Sequence, residues 1–215
     1  MKFKLPIDQR AWPGSAILLA LSFLLYFICH LPGWALVVFI LWMGHLVFFR
    51  DLPCRPQETN VIYSPACGTV VDIETVAEDQ FLKTACIKIG IFLSIFDGHV
   101  TLAPLTGEID HIQYVPGKFL NALKQDSALK NEANWIVLKK EGKKVVVKQI
   151  TGAIARRIYC DVKVGEKVAV GRKMGIICYG SRVEVYIPEG MSRLQVRKGD
   201  YVRAGQSILG AWINE

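Results

Sequence analysis

The hydrophobic pattern divides the chain near residue 50. From Ala11 to Phe49 there is no Asp, Glu, Lys or Arg. Two apolar runs, GSAILLALSFLLYFI and GWALVVFILWMGHLVFF, flank the breaker HLPG at His30–Gly33. This pattern predicts a helical hairpin. Each run is shorter than the ~20 residues of a comfortable membrane span, so two arrangements fit: a pair of short spans, or a hairpin re-entering one leaflet. A hairpin buried in a soluble core is the alternative. A cleaved signal peptide fits poorly, because the apolar region is too long and lacks a small-x-small cleavage site. Lys2, Lys4 and Arg10 precede the hairpin and Arg50 and Arg55 follow it, which puts both ends, and the domain that follows, on the cytoplasmic side of a cell membrane. Trp12, Trp34 and Trp42 are candidate interfacial anchors, while His30 and His45 read as interfacial or packing residues.

Beyond the hairpin, short alternating runs rich in Val, Ile and Gly take over. They predict strands at 69–74, 85–91, 108–114, 135–140, 144–150, 158–163, 174–178, 182–187 and 207–213. GKFLNALKQDSALKNEAN, Gly117–Asn134, is the one stretch there long and polar enough for a helix with loops around it. The prediction is a mainly β chain: an N-terminal hairpin over residues 1–50 and a β-sandwich or barrel over 51–215. An internal repeat sharpens it. VKVGEKVAVG (Val162–Gly171) matches VRKGDYVRAG (Val196–Gly205), with glycine–acidic pairs suited to tight turns and valines suited to buried strand positions. The pattern resembles the lipoyl/biotinyl carrier type of β-sandwich, and Lys173 in GRKMG is then a candidate carrier lysine, although such architecture says little about function.

Charge and cysteine usage add limits. Among 215 residues the net charge is +7, which favours anionic partners such as an acidic lipid surface. Nucleic acid is disfavoured, since the basic–aromatic pattern of single-strand binding is missing and the apolar hairpin argues against it. The six cysteines form no CxxC and no zinc-spaced cluster with histidine, and read as reduced thiols of a cytoplasmic domain. In YGSRVEVYIPEG, Val183, Val185 and Ile187 alternate with Arg182, Glu184 and Tyr186, so a strand begins directly after Gly180-Ser181. That dipeptide is either a turn or a reactive bond in which Ser181 attacks the carbonyl of Gly180.

Several separated motifs bear on that choice: FFRD, YSPACGTVVDIE, FLSIFDGHVTLAPLTGEI, YVPGKFLNA, NEANWIVL, QITGAIARRI and YGSRVEVYIPE. In this order, from about Phe48 to Glu215, the chain resembles the phosphatidylserine decarboxylase family in its short, membrane-anchored form. The resemblance implies an inactive precursor that cuts itself between residues 180 and 181, leaving a heterodimer of the two products. Ser181 becomes a pyruvoyl group, a covalent cofactor derived from pyruvate, at the new N-terminus. It then forms a Schiff base with the serine headgroup of phosphatidylserine or archaetidylserine, and acts as an electron sink while carbon dioxide leaves and the ethanolamine lipid forms. His99, in FDGHVTLAP, matches the family's histidine and is the implied base and proton donor. His111 has no such support and reads as structural.

The chain departs from the family at two points. Where relatives have SPADG this chain has SPACG, so Cys67 stands at the position of an aspartate implicated in orienting the histidine during self-cleavage. A thiol does not offer a carboxylate's two acceptor oxygens. Leu102 stands where relatives usually carry Arg or a second His. Arg156 and Arg157 are candidates for the substrate phosphodiester, or else form a solvated strand edge. Lys118 and Lys124, near Phe119, Leu120 and Leu123, suit the rim of a site at an anionic bilayer, and suit an amphipathic helix lying on the core equally well. The alternative function is a non-processing, membrane-tethered carrier or adaptor with the same fold.

Overall fold

The charge-free stretch forms two helices, α1 (Ala11–Phe27) and α2 (Pro32–Phe48), of 17 residues each. The computed structural model describes residues 6–51, 54, 56, 58, 60–120, 127–153, 157–178 and 181–213. It divides into two units, Met1–Leu52 and Pro53–Glu215. In the first unit, Pro32 occupies the first turn of α2, where a missing N–H is harmless. The helices run antiparallel. Ser22 Oγ donates to Ala35 O (2.9 Å) towards the turn, and His45 Nε2 donates to Ala11 O (3.0 Å) at the open end. Asp8 N donates to Phe49 O (2.8 Å) just beyond. The buried positions are Ala11, Ser15, Ala35 and Phe48, whereas Phe23, Trp34, Leu36 and Ile40 are exposed. Helices apolar on all sides suit apolar surroundings. Each is about 26 Å long at 1.5 Å per residue, short of a ~30 Å hydrocarbon core. No helix among the described residues is long and apolar enough to cross a membrane.

The second unit is mainly β. Its strands are β1 (Val61–Tyr63), β2 (Gly68–Glu78), β3 (Thr84–Leu93), β4 (Val100–Leu102), β5 (Gly107–Val115), β6 (Ala133–Lys140) and β7 (Lys143–Ile150). Then come β8 (Ile158–Cys160), β9 (Lys167–Val168), β10 (Lys173–Ile177), β11 (Ser181–Pro188), β12 (Ser192–Leu194), β13 (Tyr201–Val202) and β14 (Ile208–Trp212). The nine predicted strands are all present, with shifted ends. The shortest strands carry too few residues for alternation to show in the sequence. Residues 121–126 of the stretch expected to hold a helix with loops around it lie outside the described residues. Its described part holds a single turn, α3 (Ser127–Lys130), and Ala133 and Asn134 already belong to β6. After α3, the Asn131 side chain accepts from Leu120 N and donates to Leu120 O and Thr151 O, all at 2.8 Å, tying the two ends of the stretch to each other and to Thr151.

All ladders are antiparallel. They form one eight-stranded sheet, β13-β2-β3-β11-β7-β6-β5-β9, and two three-stranded sheets, β1-β14-β12 and β4-β10-β8. One core joins them, drawing Ile62 from β1, Leu209 and Trp212 from β14, Met174 and Ile177 from β10, and Val183, Val185 and Ile187 from β11.

The strand orders reveal an internal duplication larger than the sequence repeat. Each half of the long sheet is matched by one small sheet. The bulge between Val70 and Asp72 in β2 recurs between Ile109 and His111 in β5. Gly165 N donates to Ile109 O, and Gly199 N to Val70 O, both at 2.8 Å. Lys163 N is capped by Glu166 as Arg197 N is capped by Asp200. The pseudo-twofold axis passes between β7 and β11 at the pair Val147–Val185.

One difference between the halves has a topological consequence. β6 and β7 are joined by the tight turn Glu141–Gly142, both residues at positive φ (49° and 81°), the form a hairpin prefers. β3 and β11 pair the same way, with Leu93 opposite Ser181 as Lys140 is opposite Lys143. Between them, however, run residues 94–180. The contiguous module β4–β10 is therefore inserted where the other module, β1–β3 with β11–β14, has its hairpin turn.

Close backbone approach in β10 fixes the sheet beside this junction. A Cβ at Gly175 would lie 2.0 Å from Tyr159 O, whereas at its counterpart Gly210 the nearest atom, Arg193 O, is 3.1 Å away. Gly175→Ala is expected to destabilise the fold by about 1–3 kcal/mol, and Gly210→Ala by less. Urea unfolding midpoints of the two variants check the ranking.

Candidate active site

Ser181 is the first residue of β11 and is fully buried. Its Oγ has no hydrogen-bond partner among the described residues. A buried hydroxyl without a partner is unfavourable for folding and points to a chemical use. His99 directly precedes β4 and is fully buried as well. Its carbonyl accepts a hydrogen bond from Ile177 N (3.2 Å) at the end of β10, four residues ahead of Ser181. The entry strand of the inserted module thus lies along its exit strand, which brings the His99 segment to the chain leading into Ser181.

The loop before His99 is a closed turn. Ser94 N and Ser94 Oγ both donate to Asp97 Oδ2 at 2.8 Å, and Asp97 N donates to Ser94 O at 3.0 Å. Tyr201 OH, from β13, donates to Asp97 Oδ1 at 2.6 Å. His99 Nδ1 lies 2.9 Å from Asp97 O. At the tip of the same turn Ile95 and Phe96 are 49% and 79% exposed. Cys67 is buried, and its Sγ accepts from Ala204 N at 3.2 Å. Thr106, its pseudo-symmetric counterpart, accepts from Val170 N at 3.0 Å in the same way.

Polar groups line both faces of the sheet next to Ser181. On the core face Gln149 donates to Thr101 Oγ1 (2.9 Å) and accepts from Asn134 Nδ2 (3.0 Å). On the other face the polar side chains of β11 are buried as well. Arg182 Nε donates to Glu184 Oε1 (2.9 Å), and an Arg182 terminal nitrogen donates to Asp72 Oδ2 (2.6 Å). Tyr186 OH donates to Glu184 Oε2 (2.7 Å). Lys148 sits 3.9 Å from Glu184 and 4.3 Å from the centre of the Trp135 ring. Gly90 leaves room for this pairing, since a Cβ there would lie 2.4 Å from Arg182 and 2.5 Å from Asp72. Burial is the largest influence on Arg182 and opposes its charge, but the carboxylates of Glu184 and Asp72 outweigh it and raise the pKa. For Lys148 burial prevails over Glu184 and lowers it. Within this network lysine and glutamate face each other in register at 148 and 184.

The remaining candidates are placed as follows. Arg157 is exposed and its carbonyl accepts from Cys178 N at 3.1 Å, beside the exit of the inserted module. A hydrogen bond to Tyr159 is the main cause of its raised pKa. Gly180, Arg156, Leu123 and Lys124 lie outside the described residues. Lys173 opens β10 and pairs with Leu102 within a sheet, not at the hairpin tip a carrier lysine needs. All six cysteines are free thiols.

The fold is thus a duplicated β module with a buried serine hydroxyl and a buried histidine at one chain junction. Comparison with known proteins is consistent and more specific. The family model for phosphatidylserine decarboxylase matches residues 45–210. A phosphatidylserine decarboxylase proenzyme of Carboxydothermus hydrogenoformans is 42% identical over 177 residues, covering 81% of this chain and 83% of that protein. Proenzymes of the same name from Burkholderia mallei and Burkholderia lata are 37% and 38% identical, covering 97% of this chain and 97% and 98% of their own lengths. The chain belongs to the phosphatidylserine decarboxylase family and is a decarboxylase, a lyase of phospholipid biosynthesis.

The Tyr201–Asp97 hydrogen bond is testable through pH. That bond is the main cause, with burial and the charge of Asp97 adding to it, of a Tyr201 pKa pushed up to about 12, from an ordinary value near 10. A phenol held protonated in the folded state contributes stability that is complete below about pH 10 and is lost as pH rises through about 12. The melting temperature is expected to fall more steeply across this window in the wild type than in Tyr201→Phe. Stepped-pH calorimetry on both proteins measures the difference, and parallel curves would count against the bond.

Proposed function

We propose that this chain is the precursor of a pyruvoyl-dependent phosphatidylserine decarboxylase that cuts itself between Gly180 and Ser181. The observation that carries the reading is the fully buried Oγ of Ser181 at the start of β11, without a hydrogen-bond partner among the described residues. In the proposed sequence, His99 takes the Ser181 hydroxyl proton as Oγ adds to the Gly180 carbonyl, and the amide becomes an ester. Loss of the Ser181 Cα proton then breaks the Cβ–Oγ bond. Gly180 leaves as a carboxylate and residue 181 as an enamine, whose hydrolysis releases ammonia and leaves a ketone. The pyruvoyl group supplies the electron sink for decarboxylation of a substrate amine. The chain's own residues do the rest. His99 is placed to return a proton to the carbon that loses carbon dioxide. Gln149, Thr101 and Asn134 hold the core face of the site in fixed geometry, and Arg157, with Arg156 next to it in sequence, suits a phosphodiester.

The curated relatives are named for phosphatidylserine, and we take that lipid as the substrate here. A diacyl lipid stays in its bilayer, so the enzyme works at a membrane surface. The all-round apolar helices of the hairpin and the exposed Ile95–Phe96 tip on the His99 loop support an attachment to that surface. We place the catalytic unit on the cytoplasmic face of the cell membrane, with Arg10 and Arg50 at the hairpin ends as support. The duplicated β module keeps the lipoyl/biotinyl-like sandwich as the finer description of the fold. Both cleavage products remain associated as a heterodimer, since residues 181–215 supply β11 between β3 and β7.

Intact-mass analysis tests the reading. The wild-type protein is expected to give two chains that elute together under native conditions, the smaller starting at a blocked residue 181. Ser181→Ala is expected to remain one chain of about 24.1 kDa and to release no carbon dioxide from phosphatidylserine in mixed micelles. An uncut wild-type chain, or an active Ser181→Ala protein, refutes it.

A further inference from the structure

We propose that Asp97 is the positioning residue for His99, acting through its main-chain carbonyl. The proposal rests on the role given to His99 above. His99 Nδ1 lies 2.9 Å from Asp97 O. A carbonyl oxygen only accepts, so Nδ1 carries the hydrogen and Nε2 presents its lone pair. This is the tautomer a base needs if Nε2 is to receive the Ser181 hydroxyl proton.

The carbonyl can set a tautomer because it is held still. Asp97 N and both oxygens of its carboxylate are engaged, with Ser94 on one side and Tyr201 on the other. The turn is further fixed by its place at the chain junction, directly after Leu93, the residue paired with Ser181. Position 67 supports a turn of the fold. Cys67 Sγ accepts from Ala204 N, as Thr106 Oγ1 accepts from Val170 N in the other half of the duplication. The side chain there holds a turn in both modules. A neutral carbonyl in place of a carboxylate orients the ring without adding a full negative charge beside it.

The test uses the full chain in detergent micelles. In Ser181→Ala, which stays uncut under the proposed function, 15N-histidine NMR is expected to show His99 as the Nδ1–H tautomer, assigned by comparison with a His99→Asn variant. Adding Tyr201→Phe or Asp97→Ala is expected to give a mixture of tautomers, a change that a purely structural role of Asp97 would not produce. In pulse-chase translation, Asp97→Ala and Tyr201→Phe with Ser181 intact are expected to cleave about tenfold slower, less than the ~10²–10⁴-fold contribution of a general acid–base group itself. Cys67→Ser, which keeps an acceptor for Ala204 N but has no thiolate, is expected to slow cleavage less than Asp97→Ala does. The proposal is overturned by an Nε2–H tautomer in Ser181→Ala, by a tautomer unchanged in both double variants, or by Cys67→Ser cleaving more slowly than Asp97→Ala. A wild-type chain that never splits refutes the proposed function separately, while the tautomer still decides this point.

Discussion

The pairing of β11 between β3 and β7 is the constraint on which the rest of the second unit depends. Val185 stands opposite Ile89 on one side and Val147 on the other, and every residue of β11 is buried. A strand covered on both faces cannot leave its polar side chains unpaired without a penalty of several kcal/mol each. Arg182, Glu184 and Tyr186 are therefore tied to one another, to Asp72 and to Lys148, in a group whose two positive and two negative side chains balance. The same strand begins with Ser181, so the alignment of its hydroxyl is set by a strand buried along its whole length.

The duplication accounts for where the site lies. An inserted module must leave and re-enter its host at neighbouring points, because the two ends of a hairpin turn are neighbours. The entry segment carries Ser94, Asp97 and His99; the exit leads to Ser181. Residues far apart in sequence meet here for a topological reason, and functional sites on loops held by a rigid scaffold are common.

Much of this was legible in the sequence. Alternation located the longer strands, the absence of charge located the hairpin, and the Val162/Val196 repeat exposed one part of the duplication. The other part, in which Tyr63–Glu74 corresponds to Leu102–Gln113, shares few identities and is visible only as matching bulges and hydrogen bonds. The bonds from Asn131 to Leu120 and Thr151 are a tertiary effect that no local pattern carries. Ser181 and His99 were found through motifs, which is information about ancestry more than about physics. Asp97 and Tyr201 were missed, since an aspartate in a Phe-Asp-Gly turn reads as ordinary turn chemistry. Their contact spans the chain from the first module segment to the last.

That contact also orders events during biosynthesis. The module β4–β10 is contiguous and is complete once residue 177 has been made. The host module lacks β11 to β14 until the final stretch is translated. Tyr201, which steadies the His99 turn, and Ala204, which satisfies Cys67, both belong to that stretch. A ribosome releases the chain from its N-terminus, so the scissile bond emerges before the groups that arm it are in place. Under the proposed chemistry, the last residues to be synthesised act as the timer: a truncated chain has the serine and the histidine but not the clasp, and only a finished protein is equipped to cut itself.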